Sequence, residues 1–236
     1  TFDIQGEGID ANAGTPLLIT QYYEGTGNNQ WIEIKNVSTN TVPAGSFFLA
    51  LYTNLNTITS VISTTPPQQS IAIPAMAPGQ VLIFNNPSAT LPSAGNLGGT
   101  GIPTNVCTFD GNDVILISTT NDAGTYAARI DIMGVVGTTT PPFWGPDTSI
   151  IKGCGKTESP TTTFDYTSAT NTVNDYTVLT IAEVDNANPA SNIALGTQTV
   201  GSTIYTSSWS NGRPDKTKEA IIAGTYNAAA GSFEAC

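Results

Sequence analysis

Short apolar or alternating runs recur along this chain, and clusters of Gly, Pro, Asn and Asp separate them. Runs of this length with such boundaries are typical of the strands of a sandwich or barrel, whereas βαβ units place long helical patterns between strands. No long amphipathic helix is visible, so we expect at most one or two short helical turns. The candidate strands are 17–23, 31–36, 47–52, 70–73, 81–85, 114–118, 127–134, 176–184 and 203–205.

Three of these runs predict which strand faces are apolar, because successive side chains point to opposite faces of a sheet. In the second run the two Ile side chains share one face, while Trp31, Glu33 and Lys35 share the other. This predicts one dry face and one amphipathic face. The run 129–132 alternates in the same way, whereas the run 114–117 is apolar on both faces, which predicts a strand in the middle of the sandwich.

Charge and the lengths of the apolar runs each argue against one class of partner. Only 11% of the residues are charged, the formal net charge is −11, and Lys35 is the only basic residue before Arg129. Nucleic-acid binding needs clustered basic residues that displace counterions from phosphates, so we expect no nucleic-acid partner. No apolar run approaches the roughly 20 residues that cross a bilayer, so we expect no membrane insertion.

The chain contains no histidine, which removes Ser-His-Asp and Cys-His catalysis and imidazole metal sites. Glycosidase chemistry needs only two carboxylates, and Glu24 and Glu33 could face each other across a hairpin. A carboxylate pair on a sandwich surface is, however, usually solvated. We therefore expect a protein that is not an enzyme, with no catalytic residue and no cofactor assigned.

Two aspartates flank a Gly-Asn turn, where carboxylates commonly cap backbone N–H groups. Asp110 and Asp113 are therefore interpreted as turn residues. A structural calcium ion held by Asp110, Asp113 or the pair Asp185 and Asn186 is the alternative, although the spacing matches no EF-hand. No metal ligand is assigned.

Aromatic residues and the N-terminal stretch each leave two interpretations open. Trp31, Trp144 and Trp209 either pack in the core or form a platform for carbohydrate stacking. The apolar residues of the N-terminal stretch either cover a sheet edge of the same molecule or insert into a neighbour as a donated strand, which would drive self-assembly. These N-terminal residues are Phe2, Ile4 and Ile9.

The three cysteines are too few for a disulfide-stapled miniprotein and lack a C-x-x-C metal spacing. Either Cys107 and Cys154 form a disulfide, or the thiols are free and buried. Cys236 is the last residue, so we expect the chain to be part of a longer exported protein.

Five patterns in order resemble the bacterial lamin tail domain family. They are 17–25 (LLITQYYEG), 31–36 (WIEIKN), 48–52 (FLALY), 109–117 (FDGNDVILI) and 130–137 (IDIMGVVG), the last leading to 143–145 (FWG). The later stretches 205–214, 220–226 and 231–236 are similar to the opening of a repetitive β-rich segment of Bacteroidetes-type secreted proteins.

The resemblance implies an immunoglobulin-like β-sandwich with long loops and a small C-terminal β extension, and no catalytic residues of its own. We expect an N-terminal strand or linker at 1–15, the sandwich at 16–200 and the start of a second β module at 201–236. The implied role is a non-catalytic interaction or anchoring module of an extracellular or cell-surface, adhesin-like protein. Its partners would be other surface proteins or glycans. An accessory domain of a secreted nuclease or phosphatase, or a carbohydrate-binding module, is the alternative.

Overall fold

The computed structural model describes residues 15–53, 64–90, 101–134, 145–152, 176–185, 224–227 and 232–235. This part of the chain is almost entirely β and contains two sheets that pack face to face. The predicted all-β sandwich is therefore confirmed. The longest helix in the described ranges is α1 (Ile181–Asp185), which has five residues.

The larger sheet has six strands. In spatial order they are β10 (Tyr176–Thr180), β9 (Thr148–Lys152), β1 (Leu17–Glu24), β2 (Gln30–Asn36), β5 (Val81–Asn85) and β6 (Ile102–Pro103). All neighbours are antiparallel except β5 and β6.

The second sheet has four antiparallel strands, and a separate hairpin follows near the C-terminus. The sheet runs in the order β4 (Gln69–Ala72), β3 (Phe48–Tyr52), β7 (Val114–Ser118) and β8 (Arg129–Met133). The hairpin pairs β11 (Gly224–Asn227) with β12 (Ser232–Ala235). As predicted from its two apolar faces, β7 is an interior strand, because β3 and β8 lie on either side of it.

Most predicted strands are found within one or two residues of their expected limits, with two kinds of exception. The run predicted at 176–184 is divided between β10 and α1, because Ala182 and Glu183 favour a helical turn and Val184 packs back onto the larger sheet. The candidate strands also omit the two-residue β6 and omit β9, whose apolar signal is limited to Ile150 and Ile151. β11 and β12 overlap the stretches 220–226 and 231–236, which the sequence assigned to a β-rich segment without naming strands. The candidate strand at 203–205 lies outside the described residues.

The main core lies between the two sheets. From the larger sheet it contains Leu17, Ile19, Tyr22, Ile32, Ile34, Phe84 and Ile150, and from the smaller sheet Leu49, Leu51, Ile115, Ile117 and Met133. Each such side chain stabilises the fold by about 1.5–3 kcal/mol relative to an exposed position. The Tyr22 ring also stacks at a tilt on Phe109, with ring centroids 4.7 Å apart.

A β-bulge in β1 changes which residues face the core. The register passes from Ile19 opposite Ile34 to Gln21 opposite Glu33, so Thr20 is the extra residue. Ile19 and Tyr22 therefore both point into the core although they are three residues apart. The bulge also leaves Thr20 beside Glu33, on the other face of the sheet.

One side of the sandwich is closed by a short 3-10 turn at Asn105–Cys107, which follows β6. Thr104 caps this turn by accepting a hydrogen bond from the Val106 amide. Cys107 is a free thiol in the main core, where burial raises its pKa. The alternative of a disulfide between Cys107 and Cys154 is therefore wrong for this structure, and Cys154 and Cys236 lie outside the described residues.

No helix in the described ranges is both long enough and apolar enough to span a bilayer. The N-terminal stretch with Phe2, Ile4 and Ile9 lies outside the described residues, so its two interpretations stay predictions. The predicted domain limits also stay predictions.

Candidate functional site

The outer face of the six-stranded sheet carries the residues that the sequence placed on an amphipathic surface. Trp31 and Glu33 are both 0% exposed and Lys35 is 1% exposed. Val184 of α1 packs with Tyr23, Trp31 and Ile83, and so covers this face. Of the two interpretations of Trp31, core packing is confirmed, because a fully buried ring offers no flat surface to a sugar.

Trp31 therefore cannot belong to a platform for carbohydrate stacking. Trp31 also keeps an indole N–H that has no hydrogen-bond partner. The other two residues of the suggested platform, Trp144 and Trp209, lie outside the described residues.

Polar side chains on the same outer face form hydrogen bonds that cross three strands. The Thr20 hydroxyl donates to Glu33 Oε1 at 2.6 Å, which links β1 to β2. Gln21 Nε2 donates to the Ser149 hydroxyl at 2.9 Å, and that hydroxyl donates to the Tyr22 carbonyl at 3.0 Å. These bonds connect β1 with both of its neighbouring strands.

Lys35 is the basic member of this face. Burial of the ammonium lowers the pKa of Lys35 to about 8, and the carboxylate of Glu33 partly offsets that effect. Burial disfavours the charged form of an amine because water no longer solvates it. The position is thus poised to lose its proton only in mildly alkaline solution.

The suggested pair of Glu24 and Glu33 is wrong. Glu24 lies opposite Gln30 and Glu33 lies opposite Gln21, so the two carboxylates are separated along the hairpin. They also lie on opposite faces of the sheet, because Glu24 alternates with Tyr23 and shares the face of Tyr22. A two-carboxylate glycosidase mechanism needs both groups on one side of a cleft.

Glu24 belongs instead to an acidic group at one end of the sandwich. Its carboxylate accepts a hydrogen bond from the Asp147 amide. Burial raises the pKa of Glu24, the hydrogen bond from the Asp147 amide opposes this, and the charges of Asp147 and Asp110 raise the pKa further. Burial also raises the pKa of Tyr22 well above its ordinary value, with the charges of Glu24 and Asp113 contributing.

Within this acidic group the turn interpretation of the aspartates is confirmed for Asp113. Asp113 is 2% exposed and accepts a hydrogen bond from the Asp110 amide at 3.2 Å. Gly111 has a φ of 82° and packs against the Pro146 backbone, so this turn tolerates no side chain at that position.

The calcium alternative gains no support from the described ranges, in which no three acidic, His or Cys side chains are grouped to hold a metal ion. Asp185 is the last residue of α1, and Asn186 lies outside those ranges.

A buried ion pair between the two sheets was not predicted. Lys152 Nζ of β9 lies 3.9 Å from Asp131 Oδ1 of β8, and the two side chains are 1% and 0% exposed. Asp131 Oδ2 accepts a hydrogen bond from the Ile19 amide at 2.6 Å, and Oδ1 accepts one from the Ile132 amide at 2.9 Å. The carboxylate therefore ties β8 to β1 of the opposite sheet.

The sequence missed this pair because alternation assigned Ile130 and Ile132 to one face and Asp131 to the other. A bulge where Ile117 and Ser118 meet β8 interrupts that alternation. Ile130 packs against the main core, whereas Ile132 packs on the outer face of the smaller sheet. Charged residues that point inward near a sheet edge discourage edge-to-edge association, which gives the pair a structural reason to exist.

Comparison with known proteins adds little. No protein-family model and no curated protein matches the chain. The chain is similar to a solved DUF4876 family protein from Bacteroides thetaiotaomicron, with 11% sequence identity and a TM-score of 0.41 over 71% of this chain and 69% of that one. A likeness at this level carries no functional argument.

Proposed function

We propose that the protein is a non-catalytic interaction or anchoring module of a bacterial secreted or cell-surface protein. One observation carries the proposal: the three most deeply buried carboxylates of the described sandwich are engaged in holding the chain together. Glu33 accepts the Thr20 hydroxyl, Asp113 accepts a backbone amide, and Asp131 accepts two. A general acid or base must reach the proton that it transfers, whereas these three carboxylates are at most 2% exposed.

The extracellular placement rests on the sequence. The lamin tail resemblance implies export, and the net charge of −11 with few charged residues fits a surface coated by Thr, Ser and Asn. The partners that follow from it are other surface proteins or glycans. Because Trp31 is covered, a glycan-binding surface would not include its ring.

The proposed absence of catalysis is tested by assaying the purified chain on nuclease, phosphatase and glycosidase substrates. Glu24→Gln serves as the informative variant, because Glu24 has the raised pKa that a general acid needs. We expect no turnover above the buffer blank from either the wild type or this variant. Turnover by the wild type that disappears in Glu24→Gln while the fold persists would overturn the proposal.

The placement is tested by mild protease treatment of intact cells of the producing bacterium, followed by immunodetection of this chain. We expect the chain to be degraded in intact cells while a cytoplasmic marker survives. Protection of the chain until the cells are lysed would contradict an exposed location. The complete reading frame would separate an adhesin-like protein from an accessory domain of a hydrolase.

A further inference from the structure

We propose that Lys152 and Asp131 form an intramolecular isopeptide bond, which joins the two sheets covalently. The two side chains come from β9 and β8, so the bond would cross the sandwich interior. Their amine and carboxylate are already 3.9 Å apart and excluded from solvent. This modification is independent of the proposed function, because it concerns how the scaffold is held and not what it binds.

The geometry distinguishes this pair from an ordinary surface salt bridge. At 3.9 Å the amine and Oδ1 are in charge contact but beyond hydrogen-bond distance. The two groups are therefore neighbours inside the fold, and amide formation requires Nζ to approach the carboxyl carbon of Asp131. Holding the two groups side by side makes the reaction intramolecular, which for well-oriented groups corresponds to effective molarities of up to about 10⁵–10⁸ M.

The surroundings supply the groups that amide formation requires. Amide formation requires a neutral amine and a carboxylic acid, and transfer of one proton from Nζ to Oδ1 within the pair would supply both. Attack by Nζ places negative charge on Oδ2 of the tetrahedral intermediate. The Ile19 amide, 2.6 Å from Oδ2, is a fixed donor for that charge, as in an oxyanion hole.

The step balances without any co-reactant. The Nζ–Cγ bond of the new amide forms, and the Cγ–Oδ1 bond of Asp131 breaks. Two protons leave Nζ and depart with Oδ1 as one water molecule, so an ammonium and a carboxylate become a neutral amide plus water. No oxidant or reductant is consumed. Oδ2 stays as the amide oxygen and keeps the Ile19 amide as its donor.

Intact mass spectrometry of the purified, folded and then denatured chain tests the proposal. We expect a mass lower than the sequence mass by one water molecule. Proteolytic digestion should yield one peptide in which the β8 and β9 sequences are joined through Asp131 and Lys152. A wild-type chain of full sequence mass, with these two peptides separate, would overturn the proposal.

Two controls make the mass deficit specific. Lys152→Arg keeps the cation and its charge contact with Asp131, but a guanidinium is not a nucleophile under these conditions, so its mass should equal its sequence mass. Succinimide formation at Asp110 and Gly111 would also release one water molecule. Hydroxylamine opens a succinimide to a hydroxamate or cleaves the chain there, and it leaves an isopeptide intact. A deficit that hydroxylamine abolishes, or that persists in Lys152→Arg, therefore counts against the proposal.

Discussion

The two faces of the six-stranded sheet are buried by different kinds of contact. The inner face is apolar, with Ile32, Ile34 and Phe84 meeting the opposite sheet. The outer face carries Trp31, Glu33 and Lys35, yet it is as thoroughly buried as the inner one. The inner face is held mainly by apolar packing, with the pair of Lys152 and Asp131 as a charged contact between the sheets. The outer face needs both packing under α1 and hydrogen bonds between strands.

This difference teaches that an amphipathic strand face is not the same as a solvent-facing one. Burying Glu33 and Lys35 has a desolvation cost, which only specific partners offset. The Thr20 hydroxyl is one such partner, and its position depends on the bulge in β1. The outer face is therefore more sensitive to the identity of single polar atoms than the inner face, where volume decides.

The largest expected effect comes from removing the aromatic ring of the outer face. Trp31→Ala should lower the free energy of unfolding by about 3–5 kcal/mol, because truncating a buried aromatic leaves a cavity under α1. Phe84→Ala on the inner face should have a similar cost. Urea unfolding followed by circular dichroism measures both.

Trp31→Phe is the matched control for that experiment. It keeps an aromatic ring and removes an indole N–H that has no hydrogen-bond partner, so part of the lost contact area is offset. We expect Trp31→Phe to be clearly more stable than Trp31→Ala. If Trp31→Ala lowered the free energy of unfolding by less than about 1 kcal/mol, the outer face would not be packed as tightly as the inner face.

The sequence allowed us to predict the turns and the residues that face the core, but it did not predict that the outer face is covered. Alternation in β2 correctly separated Ile32 and Ile34 from Trp31 and Glu33. It cannot report what lies above the polar face, since that depends on where a distant segment such as α1 packs. For the same reason the partnership of Lys152 with Asp131 was missed, as it depends on a short strand and a bulge.

The next effect tests the hydrogen bonds of the outer face without changing volume. Thr20→Val replaces the hydroxyl that donates to Glu33 by a methyl group of similar size. Because hydrogen bonds to charged groups contribute about 1.5–3 kcal/mol, we expect a loss of stability of that order. Thr119→Val, at an exposed position after β7, should change stability by less than about 0.5 kcal/mol. Equal effects of the two substitutions would contradict the structural role of Thr20.

A smaller effect should appear as pH dependence. The pKa of Lys35 is about 8 in the folded chain against an ordinary value of 10.5, so the folded state holds this proton less tightly than the unfolded chain. The part of the folding stability that depends on Lys35 is therefore highest above pH 10.5 and decreases as the pH falls towards 8. Lys35→Met should abolish this slope, which is at most about 1.4 kcal/mol per pH unit.

The measurement is the difference between wild-type and Lys35→Met stability at several pH values, since other titrating groups cancel in the difference. A difference that stays constant across this window would mean that the ammonium is solvated in the folded state. The outer face would then be open to water at Lys35.

The smallest expected effect on stability comes from Glu24, the last residue of β1. The pKa of Glu24 is raised by burial and by Asp147 and Asp110, so the folded state binds this proton more tightly than the unfolded chain. The part of the folding stability that depends on Glu24 is then present at acid pH and declines as the pH rises through the raised pKa.

Glu24→Gln still offers an oxygen to the Asp147 amide and removes the charge repulsion with Asp147 and Asp110. We expect it to stabilise the chain by about 0.2–0.5 kcal/mol at neutral pH, and by less near pH 4.5, because Glu24 is only partly buried and solvent screens its charge. Thermal unfolding at the two pH values would detect the change. A loss of stability at neutral pH would mean that the charge of Glu24, rather than its oxygen, holds the Asp147 turn.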